Sequence, residues 1–161
     1  MKALYLNVLS RFHLPVLLML AFMAAVPVPA GAEQLLIVRS SQAFEEAMST
    51  LQGAISGAGY KVARVQRVDI GLEGHGYHSD KYRVVFYGKA EEIAQLSEKY
   101  PELIPYLPLN VAIFAEGDNT ILTTNRPGVL GEFFPAPELK VIFARWEKDL
   151  IRILDEVRET R

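Results

Sequence analysis

The sequence predicts an α+β domain: a mostly antiparallel sheet of about five strands, two main helices packed on one face, and one short helix. Three observations carry that expectation. From Pro137 to about Glu159 apolar residues recur at helical spacing. Short apolar or alternating runs stand between glycine and proline breakers. Glu116-Gly117-Asp118-Asn119 separates two such runs as a hairpin turn would. A helix with one apolar stripe must bury it against another layer, and a sheet face is the economical partner.

Each element follows from local pattern. Leu35-Leu36-Ile37-Val38 is a continuous apolar run, read as a buried strand. Ser40 or Ser41 is placed to cap the next helix, with Glu45 and Glu46 in its first turns, where the helix dipole favours anions. Phe44, Met48, Leu51 and Ile55 make its apolar stripe, and Gly57 and Gly59 end it. Lys61 to Val68 is valine-rich but alternates imperfectly, and reads as a strand. Asp69 to Asp80, with Gly71, Gly74 and Gly76, reads as a loop. Tyr82 to Tyr87 is a strand with apolar residues on both faces. Ala90 to Tyr100 is a short helix presenting Ile93, Leu96 and Tyr100. Pro101, Pro105 and Pro108 then argue against regular structure. Val111 to Ala115 and Thr120 to Asn125 are the hairpin strands, and Pro127 to Pro137 reads as a loop. In the last helix Leu139, Ile142, Phe143, Trp146, Leu150, Ile153, Leu154 and Val157 form the longest stripe of the chain.

The N-terminus reads differently. Met1 to His13 carries Lys2 and Arg11 and no acidic residue; Leu14 to Val26 is apolar; Ala30-Gly31-Ala32 supplies the small residues of a signal-peptidase site. That order is an export signal, so residues 1–32 are expected to be cleaved and residues 33–161 to form a single domain in the periplasm. As a helix the apolar run reaches only about 20 Å, short of the ~30 Å hydrocarbon core, so no stable membrane anchor is expected after cleavage. Loss of Lys2 and Arg11 moves the net charge from −2 to −4. An acidic balance without a basic run is unsuited to neutralising phosphates, so no nucleic-acid partner is expected. The chain has no cysteine. This excludes disulfides, thiol nucleophiles, thiolate metal sites and c-type haem attachment.

The order of elements and several local signatures resemble the family labelled domain of unknown function 302. The likeness runs from about Val38 to Val157. It rests on Ser41-Gln42-Ala43-Phe44-Glu45-Glu46-Ala47, Gly59-Tyr60-Lys61-Val62, Asp69, Phe86-Tyr87-Gly88, Leu107-Pro108-Leu109-Asn110-Val111 and Asn125-Arg126-Pro127. The resemblance implies a β-α-β(4)-α fold of TBP-like type, and it implies no activity. Some members of the family have cysteine where this chain has Leu109, or histidine where it has Ile70. A thiol or imidazole role at those positions is therefore not implied here.

Few residues are candidates for chemistry. His75 and His78, with Asp80 or Glu73 as a third ligand, are spaced to converge on a transition metal or haem if the backbone turns; the alternative is a solvated polar loop. Asp69 is read either as half of an acid–base pair with one of these imidazoles or as an acceptor of backbone hydrogen bonds. Asn125 and Arg126 lie beside a rigid turn, where Arg126 can hold an anion or simply be a surface arginine. Phe133-Phe134 reads as a lid on the core or as an interface.

Three functions fit these features in decreasing order. The first is a non-enzymatic binding or interaction module, needing no cofactor. It takes a small apolar ligand in a groove lined by Tyr82, Phe86, Phe114 and Trp146, or a protein partner, a homodimer included. The second is a metal- or haem-associated protein using His75 and His78. The third is a hydrolase or transferase, for which no combination of nucleophile, base and oxyanion donors is identifiable.

Overall fold

In the computed structural model residues 34–159 are described; the export signal read at residues 1–32 lies outside them. The chain runs β1 (Leu35–Ser40), α1 (Phe44–Gly57), β2 (Lys61–Arg67), α2 (Val68–Glu73), β3 (Tyr82–Gly88), α3 (Ala90–Lys99), a 3-10 segment (Pro101–Tyr106), β4 (Leu109–Glu116), β5 (Asn119–Asn125), a 3-10 turn (Pro127–Val129), α4 (Leu130–Phe133) and α5 (Pro137–Glu159). The five strands form one antiparallel sheet in the order β1-β5-β4-β3-β2. The predicted α+β architecture is thus the one observed. Among the described residues no helix is long and apolar enough to cross a membrane.

Alternation along the strands decides what each sheet face meets. Val38, Val85, Tyr87, Val111, Ile113 and Leu122 point to one face, where they are buried with Leu51 and Ile55 of α1 and Phe143, Leu150 and Val157 of α5. The predicted stripes of both long helices are buried, apart from a partly exposed Ile142. The other face carries Leu35, Ile37, Ile121, Phe114, Tyr82, Val84 and Phe86 in the registers of β1, β5, β4 and β3. At the hairpin a two-residue turn places Gly117 at φ +58°, the left-handed conformation that glycine adopts without strain.

Several local expectations are corrected. The segment read as a loop from Asp69 begins as helix α2. There the Asp69 carboxylate accepts the N–H of Ile70 at 2.9 Å and pairs with the Arg83 guanidinium of β3, and these ties outweigh the helix cost of Gly71. Imperfect alternation in β2 is a bulge: the register shifts between Val62 and Arg64, leaving Ala63 unpaired. Pro101 opens a 3-10 segment at a position whose N–H has no helical partner, and Pro127 opens the short turn before α4 in the same way. Ser40 and Ser41 do not cap α1, whose N-cap is Ala43 without a side-chain bond. Instead the buried Ser40 hydroxyl donates to the Val157 carbonyl at 2.9 Å and accepts the Gln42 N–H at 3.3 Å.

Candidate functional site

At the end of the sheet where β3 stops and β4 begins, the chain cannot pack flush. Leu107-Pro108-Leu109 enters β4 from the 3-10 segment, and Pro127 turns the chain away from β5. Between these two proline-stiffened segments lies a cavity of about 460 Å³. Its floor includes the buried Tyr87 of β3 and Leu150 of α5; Tyr106, Leu130 and Phe133 stand around it. Phe133 is 69% exposed, a large apolar ring left at the mouth. Among the described residues the polar contribution is neutral: Gln34, Asn110, Thr124 and Asn125 line the cavity, and none of the described lining residues is charged. The Thr124 hydroxyl donates to the Asn110 carbonyl at 2.7 Å, which fixes one of these groups. A mainly apolar chamber with a few amide side chains in its lining suits an uncharged, mainly apolar guest.

The Phe133-Phe134 pair divides between two roles. Phe134 turns inward, edge-on to Tyr106 at 5.5 Å and to Phe143 at 6.3 Å, so it bridges the cavity wall to the core. Phe133 stays outside on the cavity rim.

The groove expected between sheet and long helix is not formed by the four residues read for it. Tyr82, Phe86 and Phe114 project from the sheet face opposite to Val85 and Tyr87, and Tyr82 and Phe114 stack edge-to-face at 6.2 Å. Trp146 is 2% exposed on the helix side, beside Phe143 at 5.6 Å, with its indole N–H donating to Glu92 at 3.1 Å. Strand alternation separates them, since a residue next to an inward-facing one faces out. Of the residues read as ligand contacts, Phe86 and Asn125 line the cavity at the strand ends. The anion beside Arg126 is the chain's own Glu147, 2.9 Å away, whose second oxygen accepts the Gly128 N–H at 2.9 Å.

His75, His78 and Asp80 lie on the exposed segment after α2. Among the described residues no group of three His, Asp or Glu side chains is gathered as a metal site would require. Asp69 is turned towards Arg83, whose guanidinium holds its carboxyl below the usual carboxylate range, and it accepts a backbone N–H as one of its two readings expected. A second depression, of about 480 Å³, lies between the hairpin turn and the start of α1, with Asp80, Lys81 and Asp118 in its wall; it is more open than the strand-end cavity.

A polar cluster joins Tyr60, just before β2, to the end of β3 and to α5. Tyr60 donates to Asp149 at 2.8 Å, stacks edge-on against Tyr87 at 5.6 Å, and has the Lys89 ammonium 4.6 Å from its ring centre. Burial, with the Asp149 carboxylate second, pushes the Tyr60 phenol well above its ordinary value; burial does the same to Tyr87. Both phenols are therefore neutral at physiological pH, which suits structural donors and not bases.

What sequence reading missed is the set Tyr106, Leu107, Pro108, Leu130 and Leu150. The prolines that bracket the cavity are visible in the sequence as breakers and as a rigid turn, but nothing in their spacing marks them as walls of one chamber.

Comparison with known proteins supports the fold. Among curated proteins none matches the chain. One of the solved structures that match is that of the uncharacterized conserved protein DUF302 from Bacillus stearothermophilus. It is 23% identical, with a TM-score of 0.71, over 79% of this chain and 100% of that one. The model of the family described as "Domain of unknown function DUF302" matches residues 36–157, from within β1 to the last turns of α5, and the chain belongs to that family.

Proposed function

We propose that this protein is an exported, non-catalytic carrier of a small, uncharged and mainly apolar molecule, held in the strand-end cavity. One observation carries the reading: a chamber of about 460 Å³ whose lining includes Tyr106, Leu130, Phe133 and Leu150 and, among the described residues, not one charged side chain. A charged guest entering such a site would lose its hydration without gaining a counter-ion, at a cost of several kcal/mol. A neutral guest loses little, and Asn110 and Asn125 orient it through one or two hydrogen bonds. Export rests on the charged, apolar and small-residue order of residues 1–32.

Native mass spectrometry of the protein recovered from cells tests the binding. The expected result is a complex heavier than the polypeptide by one small neutral molecule, which Leu130→Trp, whose larger ring intrudes on the chamber, retains less well. A bare polypeptide, together with no thermal stabilisation by a panel of neutral metabolites and lipids, sinks the proposal and leaves a protein partner as the occupant. N-terminal sequencing tests export: the periplasmic fraction should yield a chain starting at Glu33, and intact Met1 in the cytosol would reverse it.

A further inference from the structure

The two outer strands of the sheet are finished in opposite ways. β2 carries Lys61, Arg64 and Arg67 and is broken by the bulge at Ala63, all devices that discourage another strand from pairing. β1 has no bulge. Its large apolar side chains are uncovered, Leu35 at 47% and Ile37 at 66% exposure. Its single cation, Arg39, pairs with Glu116 of β4 on the open face, across the buried Ile121 of β5 that lies between them.

Backbone geometry shows which groups this edge offers. The Arg126 N–H donates to the Gln34 carbonyl at 2.9 Å, so the pair Gln34 and Arg126 is a hydrogen-bonded one. Hydrogen-bonded and non-bonded pairs alternate along an antiparallel ladder. Leu36, Val38 and Ser40 therefore bond inward to β5, while the N–H and C=O of Leu35, Ile37 and Arg39 point out of the sheet.

We propose that β1 pairs antiparallel with β1 of a second copy, with Ile37 on the two-fold axis, to make one continuous sheet from two domains. In that register Leu35 faces Arg39 of the second copy and Ile37 faces its twin. Every outward N–H and C=O of the three residues then finds a partner. Leu36 faces Val38 of the second copy on the helix side, so side-chain faces agree as well. No cation meets a cation, because Arg39 always lies opposite a leucine. The same operation at β2, with Arg64 on the axis, would set Arg64 against its own copy and Lys61 against Arg67 of the second copy, and like charges directly opposite are destabilising. The open edge is thus self-complementary in charge, in donors and acceptors, and in apolar surface, which is what an isologous contact requires.

The chain's lack of cysteine makes the test clean. Light scattering of the protein as recovered from cells should give twice the mass of one chain at micromolar concentration. Ile37→Cys should cross-link to a covalent dimer on mild oxidation, because facing residues of a hydrogen-bonded antiparallel pair have Cα atoms about 5.5 Å apart, within disulfide reach. Thr123→Cys, on the same face one strand inward, should not, since the two copies of that residue would lie about 15 Å apart at ~4.8 Å per strand. Ile37→Pro removes an outward N–H and spares the β5 ladder, so it should yield a monomer with unchanged circular dichroism; if it fails to fold, the cysteine pair decides. A monomer in the native sample overturns the proposal, as does a dimer that survives Ile37→Pro or cross-links through Thr123→Cys and not Ile37→Cys.

Discussion

Glu147 illustrates how much one side chain organises when its two oxygens face different elements. One accepts from the Arg126 guanidinium and the other from the Gly128 N–H, so the turn leaving β5 is tied to α5. Gly128 makes this possible, for a Cβ there would stand 2.4 Å from the second oxygen. Gly128→Ala should force the carboxylate aside and destabilise the fold by about 1–2 kcal/mol, the worth of a charge-assisted hydrogen bond. Urea unfolding would show it, and an unchanged midpoint would mean the turn relaxes freely. Ser40 acts similarly over a longer distance. Its hydroxyl satisfies the Val157 carbonyl in the last turn of α5, one of the four that a helix leaves without a partner. Ser40→Ala should cost about 1–3 kcal/mol, because the site is buried and the carbonyl is left bare. Neither role was legible in the sequence. Ser40 stands just before a helix and looked like its cap, yet its partner lies 117 residues away. Patterns of local spacing report local partners only.

Elements were legible where one face repeats. Both long helices and the hairpin strands announce themselves because burial imposes a period of 3.6 or 2 on the residues chosen. The elements that were missed obey a different cause. α2 depends on the pairing of Asp69 with Arg83, a contact across the chain, and the 3-10 segments depend on proline φ angles more than on any period. The cavity was missed for the same reason, since its walls come from five separate stretches and share no spacing. The docking of α3 gives an element-scale test. Glu92 accepts the Trp146 indole N–H at 3.1 Å and pairs with Arg145, so one carboxylate fastens α3 to α5. Glu92→Ala leaves a buried indole donor without its acceptor and should destabilise the protein by about 1–3 kcal/mol. Trp146 emission should shift to the red as water reaches the ring. A native-like emission maximum in a destabilised variant would mean that α3 stays in place and that only the charge pair was lost.

For the whole molecule, stability against pH should be bounded on both sides by identified groups. On the acid side the Arg83 pairing holds Asp69 below the usual carboxylate range, and Lys99, with Tyr100, lowers Glu138 to about 2. A depressed folded value means that the unfolded chain binds the proton first. The stabilisation is therefore whole above about pH 4, the unfolded carboxyl value, and is lost as pH falls through the lowered folded values. On the alkaline side the sign reverses. The Tyr60 and Tyr87 phenols are raised above the ordinary value of about 10, chiefly by burial, so the unfolded chain releases their protons first. Stability is whole below about pH 10 and falls as pH climbs from there towards the raised folded values. Tyr60→Phe separates the two effects of that residue. At pH 8 the variant should be less stable, because the 2.8 Å bond to Asp149 is gone. Between about pH 10 and 12 its urea midpoint should decline less steeply than that of the parent, because one of the two phenols that ionise on unfolding has been removed. Tyr87 should keep part of the slope in place. Parallel curves for variant and parent across that range would mean that the Tyr60 phenol ionises as readily folded as unfolded, and that its burial beside Asp149 places no limit on alkaline stability.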